Sequence, residues 1–115
     1  PLGVRVIGVE PATSAVLNGG KAGVHNIAGL GAGFIPDILS PADLSEVLAV
    51  TDEQARESTQ RLMREESLLL GPASGAVTFA AITLAQQDDN TDKIIVAVLP
   101  DAAERNLDNS MNETP

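Results

Sequence analysis

The apolar positions of this chain fall into a few short runs separated by glycine, proline and acidic residues. Val4-Arg5-Val6-Ile7-Gly8-Val9 is short and β-branched and stops at Glu10-Pro11, where proline denies a ladder hydrogen bond. It predicts a strand of a parallel sheet. An interior strand almost at the first residue, with no element before it, predicts that an upstream segment is missing. From Pro11 to Pro41 glycine is frequent and periodicity slight, with a helical turn expected over Ser14-Ala15-Val16-Leu17. A connection of that length is usually functional or mobile. Glu46-Val47-Leu48-Ala49-Val50 predicts a second strand.

The clearest helix follows. Thr51 and Gln54 have the spacing of a capping box, Asp52 and Glu53 suit the positive end of the helix dipole, and Arg61 and Arg64 suit the negative end. Ala55, Thr59, Leu62, Met63 and Glu66 share one face and Glu57 is spaced to pair with Arg61, so a one-sided helix covering a sheet is expected. Leu68-Leu69-Leu70 predicts a brief strand and Gly71-Pro72-Ala73-Ser74-Gly75 a turn. Ala76 to Gln87 predicts a helix with almost no polar face, which should be buried on most sides. After the polar turn Asp88 to Asp92, Ile94-Ile95-Val96-Ala97-Val98-Leu99 predicts a strand buried on both faces, and the tail from Asn106 is polar and expected to be mobile.

Strands alternating with helices in this order predict an α/β fold, a parallel sheet with right-handed crossovers. Ligands in such sheets sit beyond the carboxyl ends of the strands, which singles out Glu10-Pro11, Gly71 to Gly75 and Pro100-Asp101.

Composition narrows the functions. Among 115 residues, 16 acidic side chains outnumber 7 basic ones, for a formal net charge of −9, which disfavours nucleic acid and anionic membrane surfaces. Cysteine is absent, so there is no disulfide framework, thiolate metal site or cysteine nucleophile, and the chain suits a reducing cytoplasm. The longest apolar run, Ile94 to Leu99, is far short of the roughly 18 residues of a transmembrane helix. The start has no signal-peptide pattern. Only Phe34 and Phe79 are aromatic, so the core must be aliphatic.

Several residues have two readings. The alternate glycines of Gly29-Leu30-Gly31-Ala32-Gly33 permit unusual backbone angles and close approach to a ligand, or simply a flexible loop; the dinucleotide fingerprint and a Walker lysine are both missing. Ser74, at a helix start, either caps it or reaches a ligand. His25, the single histidine, is a catalytic base or makes a structural hydrogen bond. Asp101, Glu104 and Arg105 form an acid/base cluster or a solvated turn with a local ion pair. No nucleophile has a base beside it, and no catalytic residue is assigned in this segment.

Taken in order, Gly8-Val9-Glu10-Pro11, Gly29-Leu30-Gly31-Ala32-Gly33-Phe34-Ile35-Pro36, Gly71-Pro72-Ala73-Ser74-Gly75-Ala76 and Leu99-Pro100-Asp101-Ala102-Ala103-Glu104-Arg105 resemble the C-terminal part of the cysteine synthase (O-acetylserine sulfhydrylase) family. The resemblance implies the tryptophan synthase β-like fold of a pyridoxal-phosphate enzyme. Residues 1–105 would be the C-terminal portion of its large cofactor-binding domain and 106–115 a tail. It implies replacement of the acetate of O-acetylserine by sulfide to give cysteine, in a homodimer whose partners include serine acetyltransferase. Gly29, Leu30 and Gly31 would border the substrate, and Ala73, Ser74, Pro100 and Asp101 the cofactor.

Three departures stand out. Ala73 replaces the first serine of the family's Gly-Ile-Ser-Ser-Gly-Ala turn, which supplies a hydroxyl to the pyridine nitrogen, and the family's Pro-Asp-Ser-Gly-Glu-Arg-Tyr pattern is altered at Ala102, Ala103 and Asn106. The Schiff-base lysine and phosphate loop have no counterpart, Lys21 and Lys93 lying in other contexts. The chain alone is therefore expected to be inactive, its activity belonging to a longer parent. The alternatives are a catalytically silent homologue acting as a binding or regulatory module, and a stand-alone small α/β binding domain.

Overall fold

The computed structural model describes residues 3–33, 35 and 41–102. Ile7–Pro11 forms strand β1 and Glu46–Val50 strand β2, paired in parallel with Ile7 opposite Glu46 and Pro11 opposite Val50. β2 lies where its pattern predicts; β1 starts later than expected and runs through Pro11. Helix α1 spans Asp52–Glu66 and helix α2 Pro72–Ala85. The order is thus β1, a long connection, β2, α1, α2, with both helices after the second strand.

The long connection is fastened by side chains of its own. The Glu10 carboxylate, 3% exposed, accepts from the Leu17 and Asn18 amides at 2.7 and 2.9 Å and from the Asn18 side-chain amide at 2.8 Å. These bonds replace the water that a buried carboxylate loses. The expected helical turn becomes two 3₁₀ turns, Ala12–Ser14 and Val16–Asn18. Thr13 Oγ1 donates to the Val24 carbonyl and the Gly23 amide donates to Ser14 Oγ, folding the connection back on itself.

The capping box of α1 forms as its spacing predicts. Thr51 Oγ1 accepts from the Gln54 amide at 3.0 Å, and the Gln54 side chain accepts from the Thr51 amide at 2.9 Å. The ion pair differs from expectation: Arg61 reaches Glu65 at 2.9 Å and not Glu57, and it pairs one turn ahead instead of one turn behind. The contact raises the Arg61 pKa and lowers that of Glu65, chiefly through their side-chain hydrogen bond.

α1 packs mainly on α2, and α2 in turn contacts both strands, so α1 covers the sheet chiefly by way of α2. The helices meet at Gly75, where an added Cβ would collide with Thr59 Oγ1 and the Ala55 carbonyl oxygen. The core is Ile27, Val50, Ala55, Ala76 and Ala80, with Val9, Leu30, Leu48 and Phe79 against it.

Two expectations about the second half are corrected. Helix α2 begins at Pro72, not Ala76: proline at the first helical position has the right φ and no amide to satisfy, with Gly71 as N-cap. The presumed turn 71–75 is mostly helix, and Ser74 is not its N-cap. α2 is buried on most sides as expected, through Ala73 to Ala76, Ala80 and Leu84, with Ile82 37% exposed on its outer side. The predicted strands at 68–70 and 94–99 are absent from the sheet among the described residues. Leu70 makes one isolated antiparallel bridge, to Ala102, while Ile94, Val96 and Val98 are 92, 83 and 75% exposed. The run is apolar enough to be buried, but no described strand lies beside it. Phe34, Pro36, Glu104, Arg105 and the tail 106–115 lie outside the described residues.

Candidate functional site

The site is built at the carboxyl ends of the strands from two backbone features, the glycine turns after Ile27 and the first turn of α2. Gly29, Gly31 and Gly33 have φ of 96, 64 and 87°, a left-handed region that side chains disfavour. At Gly31 there is no room either: a Cβ would lie 2.7 Å from both His25 Nε2 and Pro11 Cγ, so the crown of the loop rests on the end of β1. A Cβ on Gly29 would be 3.6 Å from the Ala73 methyl. The loop is no free flap, because Ile27 is 1% exposed in the core and the Leu30 amide donates to the Ile27 carbonyl.

The first turn of α2 has its free amides capped from a distant part of the chain. The amides of Ala73 and Ser74 donate to Asp101 Oδ2 and Oδ1 at 3.1 and 2.8 Å, and the Gly71 amide donates to the Asp101 carbonyl at 3.2 Å. The Ser74 hydroxyl, fully buried, has Asp101 Oδ1 as acceptor at 2.6 Å and the Asp101 carbonyl at 3.0 Å, and it accepts from the Asp101 amide at 3.2 Å. A carboxylate at a helix N-terminus gains from both the unpaired amides and the dipole.

Of the predicted site residues, Gly29, Ala73, Ser74 and Asp101 therefore adjoin one another, with Leu30 half-buried and Gly31 beside them. Pro100 is exposed next to Asp101. Glu10, at the strand end that was singled out, spends its carboxylate on the loop. His25 binds backbone at both ring nitrogens, the structural one of its two readings. Sequence reasoning missed the capping role of Asp101; a helix that starts with proline and lacks a local side-chain cap is the signal that could have pointed to it.

The model for pyridoxal-phosphate-dependent enzymes matches residues 1–101. The chain belongs to that family. Over 99 residues it is 46% identical to a probable cysteine synthase of Bacillus subtilis (strain 168), covering 86% of this chain and 32% of the relative. The crystal structure of a cysteine synthase from Entamoeba histolytica superposes with a TM-score of 0.94 at 33% identity, covering all of this chain and 34% of the other. An O-ureido-L-serine synthase structure gives 0.84 at 32% identity over 90% of this chain and 33% of its own. The chain thus spans about a third of these relatives, and its fold is that of part of their parallel-sheet domain.

The residues here supply only part of a lining for the family's cofactor. The Ala73 side chain carries no donor, the single proton of the Ser74 hydroxyl already has acceptors on Asp101, and Lys21 and Lys93 are both exposed. What this segment offers is a wall: glycine backbone, the Ala73 methyl and a capped helix end. Among the described residues no group of three or more metal-ligating side chains occurs, and no helix is long and apolar enough to cross a membrane.

Proposed function

We propose that this chain is the C-terminal third of a cysteine synthase, with residues 1–105 completing its large cofactor-binding domain and 106–115 forming a tail. The reaction is replacement of the acetate of O-acetylserine by sulfide, giving cysteine and free acetate. The observation that carries this reading is the nearness of Gly29 to Ala73, whose methyl a Cβ on Gly29 would meet at 3.6 Å, so that the loop expected to border the amino acid lies beside the turn expected to border the cofactor. When bound, the cofactor supplies the electron sink for the elimination. This chain's part is to shape the wall: Gly29, Leu30 and Gly31 toward the substrate, Ala73, Ser74, Pro100 and Asp101 toward the cofactor. The rest of the same protein supplies the lysine and phosphate loop, in a cytoplasmic homodimer. The test is sulfide-dependent release of acetate from O-acetylserine by the full-length protein, with O-ureido-L-serine in parallel because a structural neighbour is named for it. Cysteine from O-acetylserine is the expected result; no turnover with sulfide would overturn it.

A second reading is favoured by one observation. With a methyl at Ala73 and the Ser74 hydroxyl bound to Asp101, no side chain of this turn serves the ring nitrogen. A catalytically silent homologue that docks the tail of serine acetyltransferase fits that arrangement. Ala73→Ser in the full-length protein separates the two. A large gain in sulfide-dependent turnover marks an enzyme short of one donor; unchanged inactivity, with tight binding of the acetyltransferase tail peptide, marks the binding module.

A further inference from the structure

We propose that His25 is the positioning residue of the substrate loop, a clamp that holds the Gly29–Gly31 turn in its binding geometry; this rests on the reading that the turn borders the amino acid. Its two ring nitrogens grip both ends of the turn. Nδ1 accepts the Ile27 amide at 3.1 Å, and Nε2 lies 3.1 Å from the Gly31 carbonyl oxygen. An acceptor at Nδ1 leaves the ring proton on Nε2, so Nε2 donates to Gly31, and the neutral tautomer satisfies both bonds at once.

The surroundings make the grip rigid. Ile27 is fixed in the core, and the Asn26 amide donates to Asp52 Oδ2 at the start of α1. At the far side Gly31 is pressed between the imidazole and Pro11, with no room for a Cβ. Three residues with left-handed φ in a stretch of five cost conformational freedom, and the ring supplies a fixed reference against which the turn is held. The Gly29 and Gly31 amides donate to no acceptor among the described residues, so the turn so held presents two N–H groups. A side chain that binds only backbone at both nitrogens has no free lone pair for base catalysis. Its effect on the reaction passes through the loop.

The experiment uses the full-length holoprotein carrying His25→Ala or His25→Gln. Three quantities are read: amide exchange over residues 27–31 without substrate, KM and kcat for O-acetylserine with sulfide, and cofactor content from visible absorbance. His25→Ala is expected to speed exchange at Ile27 by about tenfold or more and raise KM about tenfold, while kcat stays within about twofold and cofactor content is unchanged. Glutamine carries an acceptor and a donor on one planar amide, so His25→Gln recovers most of both losses. It also keeps the test alive if the alanine variant does not fold. Unchanged exchange at Ile27 in whichever variants fold overturns the clamp. Faster exchange with an unchanged KM overturns the link to substrate, and the assignment of the turn with it. If the parent protein shows no sulfide-dependent turnover at all, the functional reading fails and takes the substrate half of the proposal with it, whereas exchange still decides the clamp.

Discussion

Asp101 is where a structural and a cofactor role make opposite predictions. Asp101→Ala removes the carboxylate that accepts the Ala73 and Ser74 amides, and loss of an N-terminal cap costs about 1–2 kcal/mol. It also removes the nearer acceptor of the buried Ser74 hydroxyl, which retains the Asp101 carbonyl at 3.0 Å, so that loss sits at the low end, about 1 kcal/mol. Together these give about 2–3 kcal/mol for opening the first turn of α2, a factor of about 30 to 150 in amide exchange at Ala73 and Ser74. Asp101→Asn keeps one oxygen for Ser74 and turns an amide donor toward the Ala73 amide, so its effect is intermediate and concentrated at Ala73. The assay is hydrogen exchange by NMR or mass spectrometry on the full-length protein, with cofactor content measured alongside. Unchanged exchange at Ala73 and Ser74, with cofactor lost, would refute the capping argument and leave Asp101 as a cofactor residue only.

Gly75→Ala gains up to about 1 kcal/mol of helix propensity but forces a methyl into Thr59 Oγ1 and the Ala55 carbonyl, an overpacking of about 3 kcal/mol. A net loss of about 2 kcal/mol, read as a lower melting temperature of the full-length protein, is expected, and a rise would show that the helices can separate at no cost. The isolated 115-residue chain mixed with pyridoxal phosphate should retain no coloured adduct after gel filtration, since both lysines are exposed; a stoichiometric adduct would contradict this. Because the Glu65 pKa is lowered by Arg61, the stability from this pair is present above the unfolded carboxylate pKa and lost as pH falls through the folded one. The pair lies on the surface, so Glu65→Gln should shift the neutral melting temperature by less than about 1 °C.

Local signals were the legible ones. The capping box at Thr51 and Gln54, the five residues of β2 and the alternate glycines of 29–33 each act within a few residues, and each was read from its spacing. What was missed is settled at a distance. The start of α2 depends on a carboxylate 27 and 28 residues along the chain from the amides it caps, so a local scan saw only a glycine turn. The loop at 25–31 read as open because periodicity does not report that Ile27 reaches the core or that His25 binds Gly31. Arg61 had an acid one turn away on either side, and spacing does not choose between them. Ile94 to Leu99 has the composition of a buried strand, yet the run is exposed and unpaired among the described residues, because composition does not supply neighbouring strands.

That last run also has a consequence for how the polypeptide survives synthesis. Six successive apolar residues without charge, glycine or proline, with Ile94 92% exposed, have the composition of a cross-β segment that templates copies of itself. Lys93 on one side and Pro100-Asp101 on the other are its gatekeepers: a charge and a proline that an incoming strand cannot continue past. An apolar run left uncovered favours aggregation, and these three flanking residues oppose it.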